Sequence, residues 1–334
     1  MNKISMLERK ILVELDKNSR QSMSQLAKKI KTSQQVISYN INKLLKDGII
    51  KNFRTELSTR SIGLPLIIKC YIQLKGATEN KEKEILNYLL SHKDVNWVCK
   101  TLGEFDIFTA VMVKDIDSLG KFKEQFFKEF GDNISIFEVS FINKGYVFAR
   151  NYLIDEPKEV QKSRNVHESI KETLDEKDRR IIKEIIDNAR LSIVEISKKT
   201  GLNIKTIVER IKKLEKSGVI QGYGINIDPQ KIGMKFYKIF IKLNSFAKNK
   251  YDWIINSLLK EKYTLHLIEC IGKYEIEIEA EIPESQNLQE IIKTIRNSSP
   301  ESIERVEAVE IISEIKLSWL PKSFFTSTSS QSTS

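Results

Sequence analysis

Two phrases 170 positions apart share one skeleton: GIIKNFRTELSTRSIG from Gly48 and GVIQGYGINIDPQKIG from Gly218. A gap-free alignment of 22–50 with 192–220 keeps Ser22/Ser192, Lys28/Lys198, Ile37/Ile207, Ile41/Ile211, Leu44/Leu214 and Gly48/Gly218. Further on, LGEFDIFTAVMV at Leu102 answers IGKYEIEIEAEI at Ile271, now 169 positions away. The 334-residue chain is therefore a tandem duplication, whose period of roughly 150 residues is far too long for a solenoid. Whatever one copy folds into, the other must fold into as well.

Each copy opens on helical patterning. Leu7, Ile11, Leu12 and Leu15 recur on one helix face, with Ser5 and Glu8 spaced as a capping box. A second start signal stands at Ser22 and Gln25, matched by Ser192 and Glu195. After a break, a third helix starts from Ser33 or Asn203, and Gly48 or Gly218 sits where a helix end needs a left-handed residue. Helix, helix, tight turn, helix is followed by IIKNFRTEL or VIQGYGINI, each expected to form a two-stranded wing. The rest of each copy reads β-α-β-β-α-β, the ferredoxin-like split motif. In copy one the strands are expected in 66–75, 95–102, 106–114 and 134–142, with helices near 81–90 and 116–130.

The expected class is α+β, with two winged helix-turn-helix domains alternating with two ferredoxin-like domains. The boundaries read from the sequence are a winged domain over 1–60, a ferredoxin-like domain over 61–150, a linker over 151–174, a second winged domain over 175–232 and a second ferredoxin-like domain over 233–320. The Ser/Thr-rich end, 321–334, is expected to be disordered.

Charge is unevenly placed. Residues 1–60 hold 13 Lys/Arg against 5 Asp/Glu, and 171–232 hold 14 against 10, so the net +10 of the chain resides in the two helical segments. That suits a polyanionic partner, although a solvated lysine-rich surface has the same composition. No apolar run is long enough to span a bilayer and the N-terminal segment does not read as a signal peptide. Three widely spaced cysteines fit neither a disulfide framework nor a zinc knuckle, and a cytoplasmic location is expected. His92, His167 and His266 are isolated, with no metalloprotease motif, nucleophile elbow or phosphate-cradling glycine loop. No cofactor, metal or enzymatic role is expected.

This order of domains, with GVIQGYGINIDPQKIG at the joint and IGKYEIE between the middle strands, resembles the Lrp/AsnC family of transcription regulators, nearly throughout and twice over. LDEKDRRIIKEIIDNAR resembles the family's opening helix, while copy one departs at Asn40, where copy two has Arg210, and at STRS, where copy two has DPQK. The resemblance implies double-stranded DNA as partner, and a second domain, called RAM, that pairs subunits and takes small effectors, often amino acids. Pairing between the copies and pairing between two chains both remain open on the sequence. It also implies an effector region at the turns holding Gly103, Asp106, Gly272 and Glu275, where amides face an α-carboxylate and an acid receives an α-amine; a plain turn with a solvated acid is the alternative.

On the third helix Ile37, Ile41 and Leu44 fall on a core-facing arc, so the opposite flank faces a major groove. Candidates in copy one are Ser33, Gln34, Gln35, Ser38, Tyr39 and Asn42, with Lys28, Lys29, Lys43 and Lys46 on phosphates. Copy two offers Asn203, Lys205, Thr206 and Arg210, with Lys198, Lys199, Lys212 and Lys213 on phosphates. Amides suit adenine edges and Arg210 suits guanine or a phosphate.

One difference separates the copies. In YEIEIEAE, Glu275, Glu277, Glu279 and Glu281 share a strand face, where copy one has Asp106, Phe108, Ala110 and Met112. Stacked carboxylates resist burial, so the two RAM domains are expected to have different partners, the copy-two face being wet or matched by a basic surface; a divalent cation on the ladder is a further reading. Two rival functions stand beside the regulator: a non-specific architectural DNA binder, and a fused sirohaem-decarboxylase-like enzyme, whose family carries histidine and aromatic residues where this chain has GEFD and GKYE.

Overall fold

The computed structural model describes residues 4–155, 174–244, 250–283, 286 and 288–326. Copy one begins with α1 (Met6–Lys17), α2 (Met23–Ile30) and α3 (Gln34–Lys46). Ser5 with Glu8 and Ser22 with Gln25 form reciprocal capping boxes, and Ser33 accepts from the Val36 N–H, so each helix starts where its side chains satisfy its free amides. Gly48, at φ 65°, then turns the chain into β1 (Ile50–Leu57). β2 (Leu66–Leu74), α4 (Glu79–Ser91), β3 (Val95–Leu102), β4 (Ile107–Val113), α5 (Ile116–Phe130) and β5 (Ile134–Val147) complete the copy. Copy two repeats the order as α6 (Glu176–Ile185), α7 (Ile193–Thr200), α8 (Ile204–Lys216) and β6 (Ile220–Ile227), then β7 (Met234–Leu243), α9 (Tyr251–Leu258), β8 (Thr264–Gly272), β9 (Ile276–Pro283), α10 (Leu288–Ser298) and β10 (Ile303–Leu317). The α+β class and the ferredoxin-like order stand as read.

The wings differ from expectation. Each copy supplies one strand, and the two strands pair with each other antiparallel, Phe53 opposite Ile225 and Thr55 opposite Tyr223. The physical reason is that a lone β1 leaves a row of peptide groups unpaired, and its duplicate offers the matching row. The heads also exchange arginines: Arg20 Nη1 donates to the Ala189 carbonyl and Arg190 Nη1 to those of Ser19 and Gln21. Arg20 lies over the Tyr223 ring and Arg190 over Phe53, as an approximate two-fold requires.

The two ferredoxin-like units also pair with each other. Their eight strands close a barrel in the order β10-β3-β4-β2-β5-β8-β9-β7. Its two seams join the last strand of each copy to the second strand of the other, with Phe141 opposite Ile271 and Glu310 opposite Leu102, positions equivalent by the 169-residue offset. Closure leaves no free sheet edge.

That closure corrects the reading of the glutamate face. Glu277, Glu279 and Glu281 are neither wet nor matched to an outside partner; they are 0%, 8% and 2% exposed and share the barrel interior with Phe108, Ala110 and Met112 of copy one. The partner of each RAM-like unit is the other unit. Two other expectations also change. The start of the 151–174 linker is folded, a 3-10 turn over Asn151–Ile154 with Tyr152 and Leu153 buried against the heads. The start of the 321–334 tail is folded too, with a short α11 (Ser323–Thr326) that buries Phe324 in the same cluster; apolar side chains, not the surrounding Ser/Thr content, decide those positions. Residues 156–173 and 327–334, where the remainder of both expectations falls, lie outside the described residues.

Candidate nucleic-acid interface

The α3 and α8 helices are each fixed by three aliphatic side chains turned inward. Ile37, Ile41 and Leu44 are 0%, 2% and 0% exposed, and Ile207, Ile211 and Leu214 are 0%, 5% and 1%. Each such burial stabilises the head by about 1.5–3 kcal/mol relative to exposure. With that face fixed, the other flank stands outward.

In copy one the flank carries exposed Gln34, Gln35, Asn42, Lys43 and Lys46, half-buried Ser38, and Tyr39 at 69% exposure. Lys28 and Lys29 stand exposed at the end of α2. In copy two Lys205, Lys212 and Lys213 are exposed on α8, Thr206 is half-buried, and Lys198 and Lys199 close α7. These residues gather on two outward flanks, one per head. Tyr39 has Glu209 as its counterpart, so the two flanks share a scaffold and differ in chemistry.

Several of these side chains have work inside the fold. The Ser33 hydroxyl accepts from the Val36 N–H and the Asn203 Oδ1 from Thr206 N–H, both as helix caps. Lys29 pairs with Glu14 at 2.9 Å, Lys199 with Glu184 at 3.1 Å, and Lys43 with Glu8 at 2.7 Å. The Glu8 carboxyl is lowered, burial raising it and the Lys43 ammonium and the cap hydrogen bonds more than offsetting that. Arg210 is turned back onto Asp175 and Asp178, at 2.6 and 2.8 Å, instead of lying out along the groove-facing flank. Among the described residues Lys28, Lys46, Lys198, Lys205 and Lys212 form no ion pair.

At the barrel turns, the Asp106 carboxylate accepts from the Leu74 N–H at 2.7 Å, and Glu275 accepts from the equivalent Leu243 N–H at 2.7 Å. Both acids tie a turn to the end of the first strand of their unit. Gly272 packs so closely on β5 that a Cβ there would come within 2.8 Å of the Val139 carbonyl oxygen, and Gly103 faces Val309 across the other seam.

Sequence reasoning missed the ionic cluster inside the barrel. Lys238 reaches Glu277 at 2.6 Å and Glu279 at 2.9 Å; Lys69, its equivalent in copy one, reaches Glu279 at 2.5 Å. Tyr71 also donates to Glu277, and His266 Nδ1 lies 2.6 Å from Glu279. Burial works to raise the Glu277 carboxyl, but Lys238 and Lys69 hold it down at about 2. Arg150 grips Glu281 through two nitrogens at 2.8 and 2.9 Å and Asp16 of α1 at 2.9 Å, tying barrel to head. The lysine ammoniums occupy the place a cation on the glutamate ladder would take. The signal was present: Lys69 and Lys238 are repeat-related lysines, 169 positions apart, in the first strand of each unit.

Paired heads with fixed third helices and basic outward flanks define a winged helix-turn-helix DNA-binding protein. The family model for winged helix-turn-helix DNA-binding matches residues 7–51 and 174–221. An uncharacterized HTH-type transcriptional regulator of Pyrococcus furiosus is 31% identical over 144 residues, covering 42% of this chain and 95% of that protein. The HTH-type transcriptional regulator FL11 of Pyrococcus abyssi is 35% identical over 124 residues, covering 37% and 80%. Among solved structures, the siroheme decarboxylase NirDL aligns over 93% of this chain and 92% of its own with a TM-score of 0.61 at 13% identity, a likeness of fold. The chain belongs to the Lrp/AsnC family of HTH-type transcriptional regulators and is a DNA-binding transcriptional regulator. Among the described residues no helix is long and apolar enough to cross a membrane.

Proposed function

We propose that both heads read DNA from the outward flanks of α3 and α8, acting from the cytoplasm as one sequence-specific regulator with two unlike reading surfaces. The observation that carries this reading is the pair of inward triads, which leaves each opposite flank exposed while its chemistry diverges between copies. Gln34, Gln35 and Asn42 supply paired amide hydrogen bonds to adenine edges, and Lys28, Lys46, Lys198 and Lys212 neutralise phosphates. Lys29, Lys43 and Lys199 reach phosphate by exchanging their carboxylate partners, and Arg210 does so at the cost of two. The head, barrel, linker and tail limits read from the sequence serve as working domains for truncation.

The family's effector region is kept in the same proposal. A small amino acid at Gly103/Asp106 or Gly272/Glu275 would compete with the Leu74 or Leu243 amide for its carboxylate. Footprinting on upstream DNA with and without an amino-acid panel tests it, and an unchanged footprint across the panel removes the effector.

A binding role rather than catalysis is part of the proposal. The decarboxylase of similar fold has been solved with an iron-uroporphyrin III analogue, a macrocycle of four pyrroles. Here the barrel interior is filled by Tyr71, Phe105, Phe108, Phe240 and the ionic cluster. A chamber of about 190 Å³ opens there, on the scale of one that holds a single benzene ring. A Soret band from the purified chain would support the enzyme instead.

Changing Lys28 and Lys46, or Lys198 and Lys212, to Ala should flatten the dependence of log binding constant on log salt by about 0.9 per lost phosphate contact. An unchanged slope would remove that head from the interface. A preference for the chain's own upstream DNA below about 10³-fold over bulk competitor would favour the architectural reading.

A further inference from the structure

A chamber of about 190 Å³ lies where the barrel meets the heads. Its walls come from both: Arg54 of β1 and Asn226 of β6 above, Lys69, Trp97, Glu279 and Glu314 of the barrel below, and Trp319 from the segment after β10. The chamber breaks the internal symmetry, because the copy-one counterpart of Glu314 is Gly145, another wall residue.

The ion pairs around it leave one carboxylate out. Arg54 pairs with Glu56 at 3.1 Å, Lys69 with Glu279, and Arg150 with Glu281 and Asp16. With the partners behind the wall included, Arg54, Lys69, Arg150 and Lys238 face Asp16, Glu56, Glu277, Glu279, Glu281 and Glu314. With His266 on Glu279 as well, each of these carboxylates except Glu314 has a cation within ion-pair distance. The carboxylate over is Glu314, which accepts one hydrogen bond from Trp97 Nε1 at 2.9 Å and has no ion-pair partner among the described residues. Two further wall atoms, Asn96 Oδ1 and Trp319 Nε1, are buried without a hydrogen-bond partner among the described residues.

Every wall cation is already held, so the chamber does not attract an anion. A hard divalent metal needs about six converging oxygens, and Glu314 stands against an indole N–H and aromatic wall instead. A carboxylate in a wall with Trp97, Trp319, Phe148 and Phe236 suits an ammonium on an apolar body; Lys69 already lies over Trp97 and Arg54 over Trp319, so the carboxylate takes the charge and the rings pack on the hydrocarbon. A 150 Å³ cavity admits benzene, so this one has room for about one ring with a short arm.

We propose that this chamber binds a small organic ammonium, roughly one aromatic ring in size, with Glu314 as its anchoring carboxylate. The Glu314 carboxyl is raised, by burial first and by Glu279 and Glu281 from β9, against the hydrogen bond from Trp97 on β3 and the Lys51 charge on β1. The acid form has no charge to offer, so affinity should weaken as pH falls through that raised value.

The test is calorimetric titration of the full chain with phenethylammonium, 2-phenylethanol and phenylacetate, without DNA. The ammonium should bind at least 10-fold tighter than the alcohol, and the carboxylate should not bind. Glu314→Gln keeps the acceptor for Trp97 and should erase the preference. Ile142→Trp, which fills the chamber from its wall with Glu314 untouched, should abolish binding and serves if the first variant does not fold. No binding of the ammonium by the parent chain, equal binding of alcohol and ammonium, or undiminished binding by both variants would overturn the proposal. DNA affinity of the parent chain, measured separately without ligand, reports on the DNA-reading proposal alone.

Discussion

The heads of the two copies have kept their internal contacts while the barrel halves have traded theirs. In the heads, Ser22/Ser192, Ile37/Ile207, Ile41/Ile211 and Leu44/Leu214 hold the same places with the same burial, while the outward flanks and a few inner positions, such as buried Arg54 against Gly224, diverge. In the barrel the reverse holds: Phe108, Ala110 and Met112 of copy one stand where copy two has Glu277, Glu279 and Glu281, all buried. The heads fuse into one apolar cluster to which both copies bring aliphatic side chains at equivalent positions. The barrel interior is shared, so one half can carry acids provided the other half or its own neighbours answer them. Lys69 and Lys238 do so from equivalent strands.

The largest effect should come from Lys238. Lys238→Met strips the main cation from Glu277 and Glu279, and removing one partner of a buried pair typically costs about 3–5 kcal/mol. Lys69→Met should cost less, because Lys238 still reaches both carboxylates. Urea denaturation of the two variants compares them directly; equal losses would mean that the barrel halves share the load evenly.

Acid should separate the halves next. Glu277 sits at about 2, below the ordinary carboxylate value, so its contribution to stability is fully present above that ordinary value. It is lost as pH falls toward 2, whereas its counterpart Phe108 does not titrate. Thermal melts should therefore decline across that window, and Glu277→Gln should flatten the decline while lowering stability at neutral pH. A decline as steep as in the parent would place the acid sensitivity elsewhere.

The smallest effect should be the most symmetrical. Ser22→Ala and Ser192→Ala each remove a capping box of the same geometry, at about 1 kcal/mol apiece. Unequal losses would show that the heads are less alike than their coordinates.

The secondary structure was legible because it is written locally. Ser5 with Glu8, Ser22 with Gln25 and Asn203 with Thr206 are caps spanning three residues, and Ile37, Ile41 and Leu44 repeat at the helical period. The pairing of β1 with β6 was not, since nothing in IIKNFRTEL says whether its partner lies four or 170 residues away. The outward flanks of the candidate interface followed from the helical period, but the partners of Lys43 and Arg210 did not. Glu8, 35 residues before Lys43, and Asp175 and Asp178 before Arg210 come close only after the helices pack. The glutamates were noticed and misplaced for the same reason: alternation gives the face of a strand, while closure decides whether that face is inside.

Because both seams of the barrel lie within one polypeptide, bringing the halves together needs no encounter between molecules. Subunits that meet from solution come apart on dilution, whereas covalently tethered halves retain a high effective concentration at any copy number. The unit with two heads should thus persist at low concentration, and a titration of its pairing against its own concentration should be flat.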